Sequence, residues 1–429
     1  MQMSESAPRN WSAPSVQRPI EATISIPGSK SATNRAFVLA ALGDSVSKIS
    51  KPLLARDTEL MLQALKQLGC EIKKSAEVVE ISPMKRTHQD LTIDVGLAGT
   101  VMRFVPPLAA LSTGVAHFDG DTRARNRPMK TLIDSLKALN ISVDDQSTGS
   151  LPFSIASDGV VLGGEITIDA SESSQFVSAL LLAAPKFLNG LTINHVGKKL
   201  PSIPHIEMTI DMLKQVGVNV VSTNNNSWKV LPGKIASKNW LIEPDLSNAG
   251  PFLAAALVTH GEVSILDWPQ ETTQAGNAWI DILTKMGASV SLSDQGLKVT
   301  HTGEIKGINF DLSDVGELTP VLVAITLFAN SPSSLTGIAH LRGHETDRLA
   351  ALVENIKAIG GDATETSDGL NIRPAKLHGG LWKAFDDHRM ATAGAVIGLI
   401  INGIQVDDIK STSKTLPDFE KMWDAMVGA

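Results

Sequence analysis

LKQLGCEI (65–72) returns along the chain as LKALNISV (136–143), LKQVGVNV (213–220), LTKMGASV (283–290) and IKAIGGDA (356–363). The starts lie 71, 77, 70 and 73 residues apart, a spacing regular enough to define a repeat. Each copy closes an amphipathic stretch. In DTELMLQALKQLG the apolar residues recur at i, i+3, i+4 and i+7, as on one face of a helix. A Gly or Asn follows, the residue that suits the turn after a helix, and a short strand-like segment begins. FEKMWDAMVGA (419–429) reads as a sixth, shortened copy.

A second helix type alternates with the first and is apolar nearly all round. Its copies are ATNRAFVLAALG (32–43), AGTVMRFVPPLAALSTG (98–114), SSQFVSALLLAAPKFLNG (173–190), NAGPFLAAALVTHG (248–261), GELTPVLVAITLFANS (316–331) and HRMATAGAVIGLIING (388–403). Helices without a polar face are buried. Segments such as ATISI (22–26), LTIDV (91–95), FSIAS (153–157) and GEITIDA (164–170) read as strands. The pattern predicts an α/β protein of six βαβ-type units, divided into two domains of three. WLIEPDLSNAG (240–250), with Pro244, is the expected joint, and NNNS (224–227) is a surface turn.

Composition narrows the function. The 429 residues carry 45 acidic and 38 basic side chains, a net charge of −7, which argues against a nucleic-acid binder with a basic footprint. No apolar run approaches the roughly 18 to 20 residues that span a bilayer. The start, MQMSESAPRNWSAPSVQRP, lacks the apolar core of a secretory signal. One cysteine, Cys70, makes no internal disulfide, and no Cys/His spacing suggests zinc. The expectation is a cytoplasmic enzyme or binding protein without structural metal.

Polar residues gather where the buried helices begin: PGSKSATNR (27–35), LAGTVMR (97–103), DASESSQF (169–176), DVGELTP (314–320) and DDHRM (386–390). Helix starts offer unpaired N–H groups and a positive dipole end, hence anion sites. Gly99 lets a ligand approach the backbone and Thr100 adds a hydroxyl. Lys30, Arg35, Arg103 and Arg389 add charge suited to phosphate or carboxylate. Each signal has a plainer reading: Ser173 and Ser174 as helix caps, Arg103 as half of an ion pair. PGSKS lacks the GxxxxGK[ST] spacing of a nucleotide-binding loop, and HETDR and DDHRM lack the HExxH spacing of a zinc protease. Five polar starts on one helix type make coincidence a poor account. LRGHETDRLAAL (341–352) sets Glu345 and Arg348 on one helical face. DTRARNRPM (121–129) holds three arginines in a loop entering a helix, and Lys414 stands alone in STSKTLPDF (411–419).

These motifs, in this order, resemble the 5-enolpyruvylshikimate-3-phosphate synthases (3-phosphoshikimate 1-carboxyvinyltransferases), the actinobacterial members most of all. PGSKSATNRA, LAGTVMRF, SSQF, PHIEMT, GHETDRLAA, DDHRMA and SKTLPDF carry the likeness over roughly residues 20 to 425. The resemblance implies transfer of the enolpyruvyl group of phosphoenolpyruvate to the 5-hydroxyl of shikimate 3-phosphate, a step in aromatic amino-acid biosynthesis. It implies no cofactor or metal, and an inside-out α/β barrel of six repeats, helices inside and sheets outside, acting as a monomer. Residues 28–243 would form the first domain, and 20–27 with 244–429 the second. The active site would lie in the cleft between them, with 1–19 a tail. Carried over, Ser31, Arg35, Thr100, Ser173, Ser174, Ser202 and His344 fall at shikimate 3-phosphate. Gly99, Arg127, Arg348, Arg389 and Lys414 fall at phosphoenolpyruvate, and Lys30 and Gln175 at both. Glu317 stands where the family usually has the aspartate that takes the 5-hydroxyl proton. Lys30 and Glu345 match the pair that moves protons at the methylene carbon and bridging oxygen.

Some positions depart from the common pattern: His344 stands at a common lysine position and His340 near a common asparagine, and a histidine at 344 can lose its charge near neutrality, unlike lysine. The sister transferase acting on UDP-N-acetylglucosamine is the nearest alternative, but it carries a cysteine or aspartate in the arginine-rich loop. Here that loop has no cysteine, and Asp121 sits far from Arg127. A non-catalytic protein for a phosphorylated ligand is the other, and the presence of both Glu317 and Glu345 speaks against it.

Overall fold

The computed structural model describes residues 10–85, 90–223 and 226–428. Residues 1–9 of the expected tail and two asparagines of the NNNS turn lie outside them. The chain divides into two compact units, Pro27–Glu243 and the remainder, through Ile26 and from Pro244 on.

One repeat runs strand, inner helix, strand, outer helix, hairpin. Its simplest example is Leu91–Asp94, helix Gly99–Ala109, Thr113–Asp119, helix Lys130–Ala138, then Ser142–Asp144 and Phe153–Asp158. The two strands flanking the inner helix pair in parallel, Leu91 opposite Ala116. A parallel pair needs such a crossover, because a tight turn cannot reverse the chain twice. The hairpin strands complete the sheet antiparallel, so the described residues form five four-stranded sheets and one of three strands.

The inner helices of the Pro27–Glu243 unit are Lys30–Ala41, Gly99–Ala109 and Gln175–Ala183, and they touch one another. Those of the other unit are Gly250–Val258, Thr319–Thr326 and His388–Gly398, again in mutual contact. Every residue of Gly250–Val258 and of Thr319–Thr326 is buried. The outer helices keep one wet face; on Arg56–Gln67, Arg56, Gln63 and Lys66 are exposed. The strands alternate, as Leu91–Asp94 does, with Leu91 and Ile93 in and Thr92 and Asp94 out. Helices inside and sheets outside therefore follow from residue pattern.

Two first strands are exchanged. Glu21–Ile24, which precedes the helix Lys30–Ala41 in sequence, pairs in parallel with Glu262–Leu266 in the other unit. Asn239–Leu241, just before Gly250–Val258, pairs in parallel with Ser47–Ser50. The sixth repeat has Leu381–Trp382, its inner helix, Gln405–Val406 and the outer helix Phe419–Gly428. Trp11–Ser12 joins its sheet, antiparallel to Gln405–Val406. Trp11 and Ser12, within the expected tail, are thus part of this sheet. Ala13 N–H donates to Ile404 at 3.0 Å and Val16 N–H to Leu399 at 2.9 Å, and the Ala13 side chain packs where Gly398 has none.

No helix among the described residues is long and apolar enough to cross a membrane. Cys70 is buried, and burial pushes its thiol up to about 12, so it stays protonated as a small core residue. A Cβ at Gly398 would collide with the Cβ of Ala13. Gly398→Ala is expected to lower stability by about 1–3 kcal/mol in a denaturant titration. Adding Ala13→Gly should recover part of that loss, and no recovery would mean that the strand does not pack there.

Candidate active site

In the Pro27–Glu243 unit, side-chain bonds tie the starts of all three inner helices together. Asn34 Nδ2 donates to Thr100 Oγ1 at 2.7 Å, joining the first helix to the second. Arg103 Nη1 donates to Gln175 Oε1 at 3.2 Å, joining the second to the third. Arg35 Nη2 donates to Ser178 Oγ at 3.4 Å, closing the ring. Three dipole ends therefore share one polar spot, which favours anions.

Two guanidiniums around it, those of Arg35 and Arg127, are held by neutral acceptors. Arg35 is 1 % exposed; its Nε donates to Thr209 Oγ1 (2.7 Å), Nη1 to the Ser31 carbonyl (3.0 Å) and Nη2 to the His205 carbonyl (2.9 Å). Its guanidinium lies over the Phe104 ring, 5.2 Å from the centroid. Burial lowers its pKa to about 9, still charged at neutral pH. Arg127, also buried, donates to the Leu97 carbonyl at 3.0 Å. Gly99 sits against two guanidiniums: a Cβ there would lie 2.9 Å from Arg103 Nη1 and 3.1 Å from Arg127 Nη2. Lys30, the first residue of its helix, bonds the buried Asp57 at 3.1 Å.

The serines play unequal parts. Ser173, one residue before the helix cap, accepts from the Gln175 N–H through Oγ at 3.3 Å. Ser174 is buried and makes no capping bond. Ser202 is left-handed (φ 55°, ψ 47°), a strained conformation for a non-glycine, directly before the outer helix Ile203–Gln215. Such strain clusters at ligand sites.

In the other unit a buried ion network forms at the start of the helix Arg348–Ala358. Arg348 Nε donates to Asp387 Oδ2 at 2.7 Å, Nη2 to Asp387 Oδ1 at 3.2 Å and to Glu345 Oε2 at 3.0 Å. Burial acts to lower the Arg348 pKa, but Asp387 and Glu345 outweigh it and the net shift is upward. Asp387 also caps the last inner helix, accepting from the Arg389 N–H at 2.9 Å. Arg348 Nη1 donates to His344 Nδ1 at 3.2 Å. A guanidinium can only donate, so this bond needs the Nδ1 lone pair and favours the neutral ring.

Glu317 lies in the turn Gly316–Leu318 before the helix Thr319–Thr326, and the Ser247 hydroxyl donates to its Oε1 at 3.4 Å. His340 stands over Gly316; burial pushes it down to about 4 despite the pull of Glu317, so it is neutral at physiological pH. Lys414 is buried at the end of the turn Ile409–Lys414, which packs on the helix His388–Gly398.

The predicted residues thus fall in two sets. Lys30, Ser31, Arg35, Gly99, Thr100, Arg127, Ser173, Ser174, Gln175 and Ser202 belong to one unit. Glu317, His344, Glu345, Arg348, Arg389 and Lys414 belong to the other. Sequence reading passed over Asp57 and Asp387, the carboxylates that hold Lys30 and Arg348. Asp387 had a visible signal, an aspartate at the position before a helix. Asp57 had a weaker one, an acid in a helix's first turn. Among the described residues no group of three or more His, Cys, Asp or Glu is placed to hold a metal. Removing Asp387 leaves a buried arginine under-compensated. Asp387→Ala is expected to cost about 3–5 kcal/mol in chemical denaturation, against under about 1 kcal/mol for the exposed pair partner Asp281→Ala.

The EPSP synthase (3-phosphoshikimate 1-carboxyvinyltransferase) family model matches residues 15–423. A 3-phosphoshikimate 1-carboxyvinyltransferase from Kocuria rhizophila is 50% identical over 430 residues, covering 98% of this chain and 97% of that protein. Among solved structures, EPSP synthase from Acinetobacter baumannii superposes with a TM-score of 0.81 at 22% identity, covering 97% of both chains. The enolpyruvyl transferase NikO from Streptomyces tendae reaches 0.75 at 14% identity, covering 96% of this chain and 95% of its own. At those identities the structures speak to the fold, which is the enolpyruvyl transferase fold. The chain belongs to the EPSP synthase family, and its reaction is transfer of the enolpyruvyl group of phosphoenolpyruvate to the 5-hydroxyl of shikimate 3-phosphate, with release of phosphate.

Proposed function

We propose that both sets of residues serve this one reaction. The observation that carries the assignment is the cluster of cations at three helix starts, where Gly99 faces Arg103 and Arg127. Each substrate brings a phosphate and a carboxylate, and such a cluster compensates them without a metal. Ser31, Arg35, Thr100, Ser173, Ser174, Ser202 and His344 hold shikimate 3-phosphate. Gly99, Arg127, Arg348, Arg389 and Lys414 hold phosphoenolpyruvate, while Lys30 and Gln175 meet both.

The chemistry is addition followed by elimination. Glu317 takes the 5-hydroxyl proton as that oxygen bonds to C2 of phosphoenolpyruvate, and an acid protonates the methylene carbon. The resulting tetrahedral intermediate then loses phosphate as the methyl group gives a proton back. Glu345 and Lys30 are the proton carriers of the second centre. The arginines stabilise charge as it gathers on the departing phosphate. The neutral His344 suggested by its bond from Arg348 makes it a hydrogen-bonding contact to shikimate 3-phosphate and not a fixed charge. We read the protein as a cytoplasmic monomer, which light scattering and fractionation would check.

Two measurements test the assignment. Glu317→Gln is expected to slow formation of the tetrahedral intermediate in single turnover by roughly 10²–10⁴-fold; an unchanged rate removes Glu317 as the base. Gly99→Ala places a methyl against both guanidiniums and is expected to raise KM for phosphoenolpyruvate on the order of 10-fold, about 1.4 kcal/mol. An unchanged KM would take phosphoenolpyruvate away from this spot.

A further inference from the structure

Gln175 carries an uncharged carboxamide whose oxygen and nitrogen are nearly equal in size. Left to itself, that group turns over easily and presents either a donor or an acceptor. Toward a phosphate or a carboxylate only the donor is useful, since an oxygen would repel either. Something must therefore hold the amide one way round.

We infer that Arg103 is a positioning residue that locks the Gln175 carboxamide with its N–H groups toward the substrates. Arg103 Nη1 lies 3.2 Å from Gln175 Oε1. A guanidinium has five donors and no acceptor, so the amide oxygen is the atom that must face it. The flipped amide would set N–H against N–H. Nε2 is then left to donate elsewhere. Arg103 is itself fixed: Nη2 donates to the Pro128 carbonyl at 3.1 Å, and Nη1 also reaches the Gly99 carbonyl at 3.4 Å. Its guanidinium lies over Phe176, 5.5 Å from the ring centroid. It thus grips two successive residues, Gln175 and Phe176, in the first turn of one inner helix. Being 2 % exposed and so engaged, it acts through Gln175 and not on substrate directly.

The inference rests on the reading of Gln175 as a contact to both substrates, and a double-mutant cycle separates the two. Gln175→Ala, Arg103→Met and the double variant are compared by KM for each substrate, with melting temperature as a check on folding. Arg103→Met is expected to raise both KM values on the order of 10-fold, about 1.4 kcal/mol. In the Gln175→Ala background the same change should move them less than about twofold, because coupled residues are not additive. If Arg103→Met raises KM by the same factor in both backgrounds, Arg103 does not act through Gln175 and the inference fails alone. If Gln175→Ala leaves both KM values unchanged, the substrate reading of Gln175 fails, and the inference with it. Should Arg103→Met lose the fold, Arg103→Gln, whose amide can turn either oxygen or nitrogen toward Gln175, completes the same cycle with the same outcomes.

Discussion

A helix such as Gly250–Val258 has no side it can show to water, and that constraint organises each unit. Three helices of this kind bury one another, and the sheets and outer helices must cover what remains. Only the ends of the inner helices stay polar. Their unpaired N–H groups, cations and hydroxyls therefore collect in one place without any further design. Fold and site are two results of one patterning rule.

The two units use this arrangement differently. In Pro27–Glu243 the buried Arg35 and Arg127 donate to carbonyls and hydroxyls, and Arg103 to carbonyls and the Gln175 amide oxygen. Neutral acceptors hold a guanidinium in place without cancelling its field. In the other unit Arg348 is held by two carboxylates, Asp387 and Glu345. One unit offers net positive charge, and the other offers positioned acids beside a cation. In the roles proposed above, the first serves anion binding and the second proton transfer.

Several readings of the sequence survived for physical reasons. Strands and helices were legible because burial imposes a period on residues, and Leu91–Asp94 shows it in four positions. The strand at Trp11–Ser12 was not legible. Two residues carry no period, and their partners, Gln405–Val406, lie almost 400 positions away. The histidine at 344 shows the same limit. Only the folded chain places Arg348 Nη1 3.2 Å from its Nδ1, a contact that favours the neutral ring.

By itself, the sequence determined the six repeats, the buried helices, the polar starts and the family motifs, because each is written in local pattern. Tertiary structure decided which starts meet, that Asp57 holds Lys30 and Asp387 holds Arg348, and which way round Gln175 is held. Those are contacts between residues from 27 to 72 positions apart. Their energies depend on distance and desolvation in space, and neither quantity is encoded in the order of residues along a strand or helix.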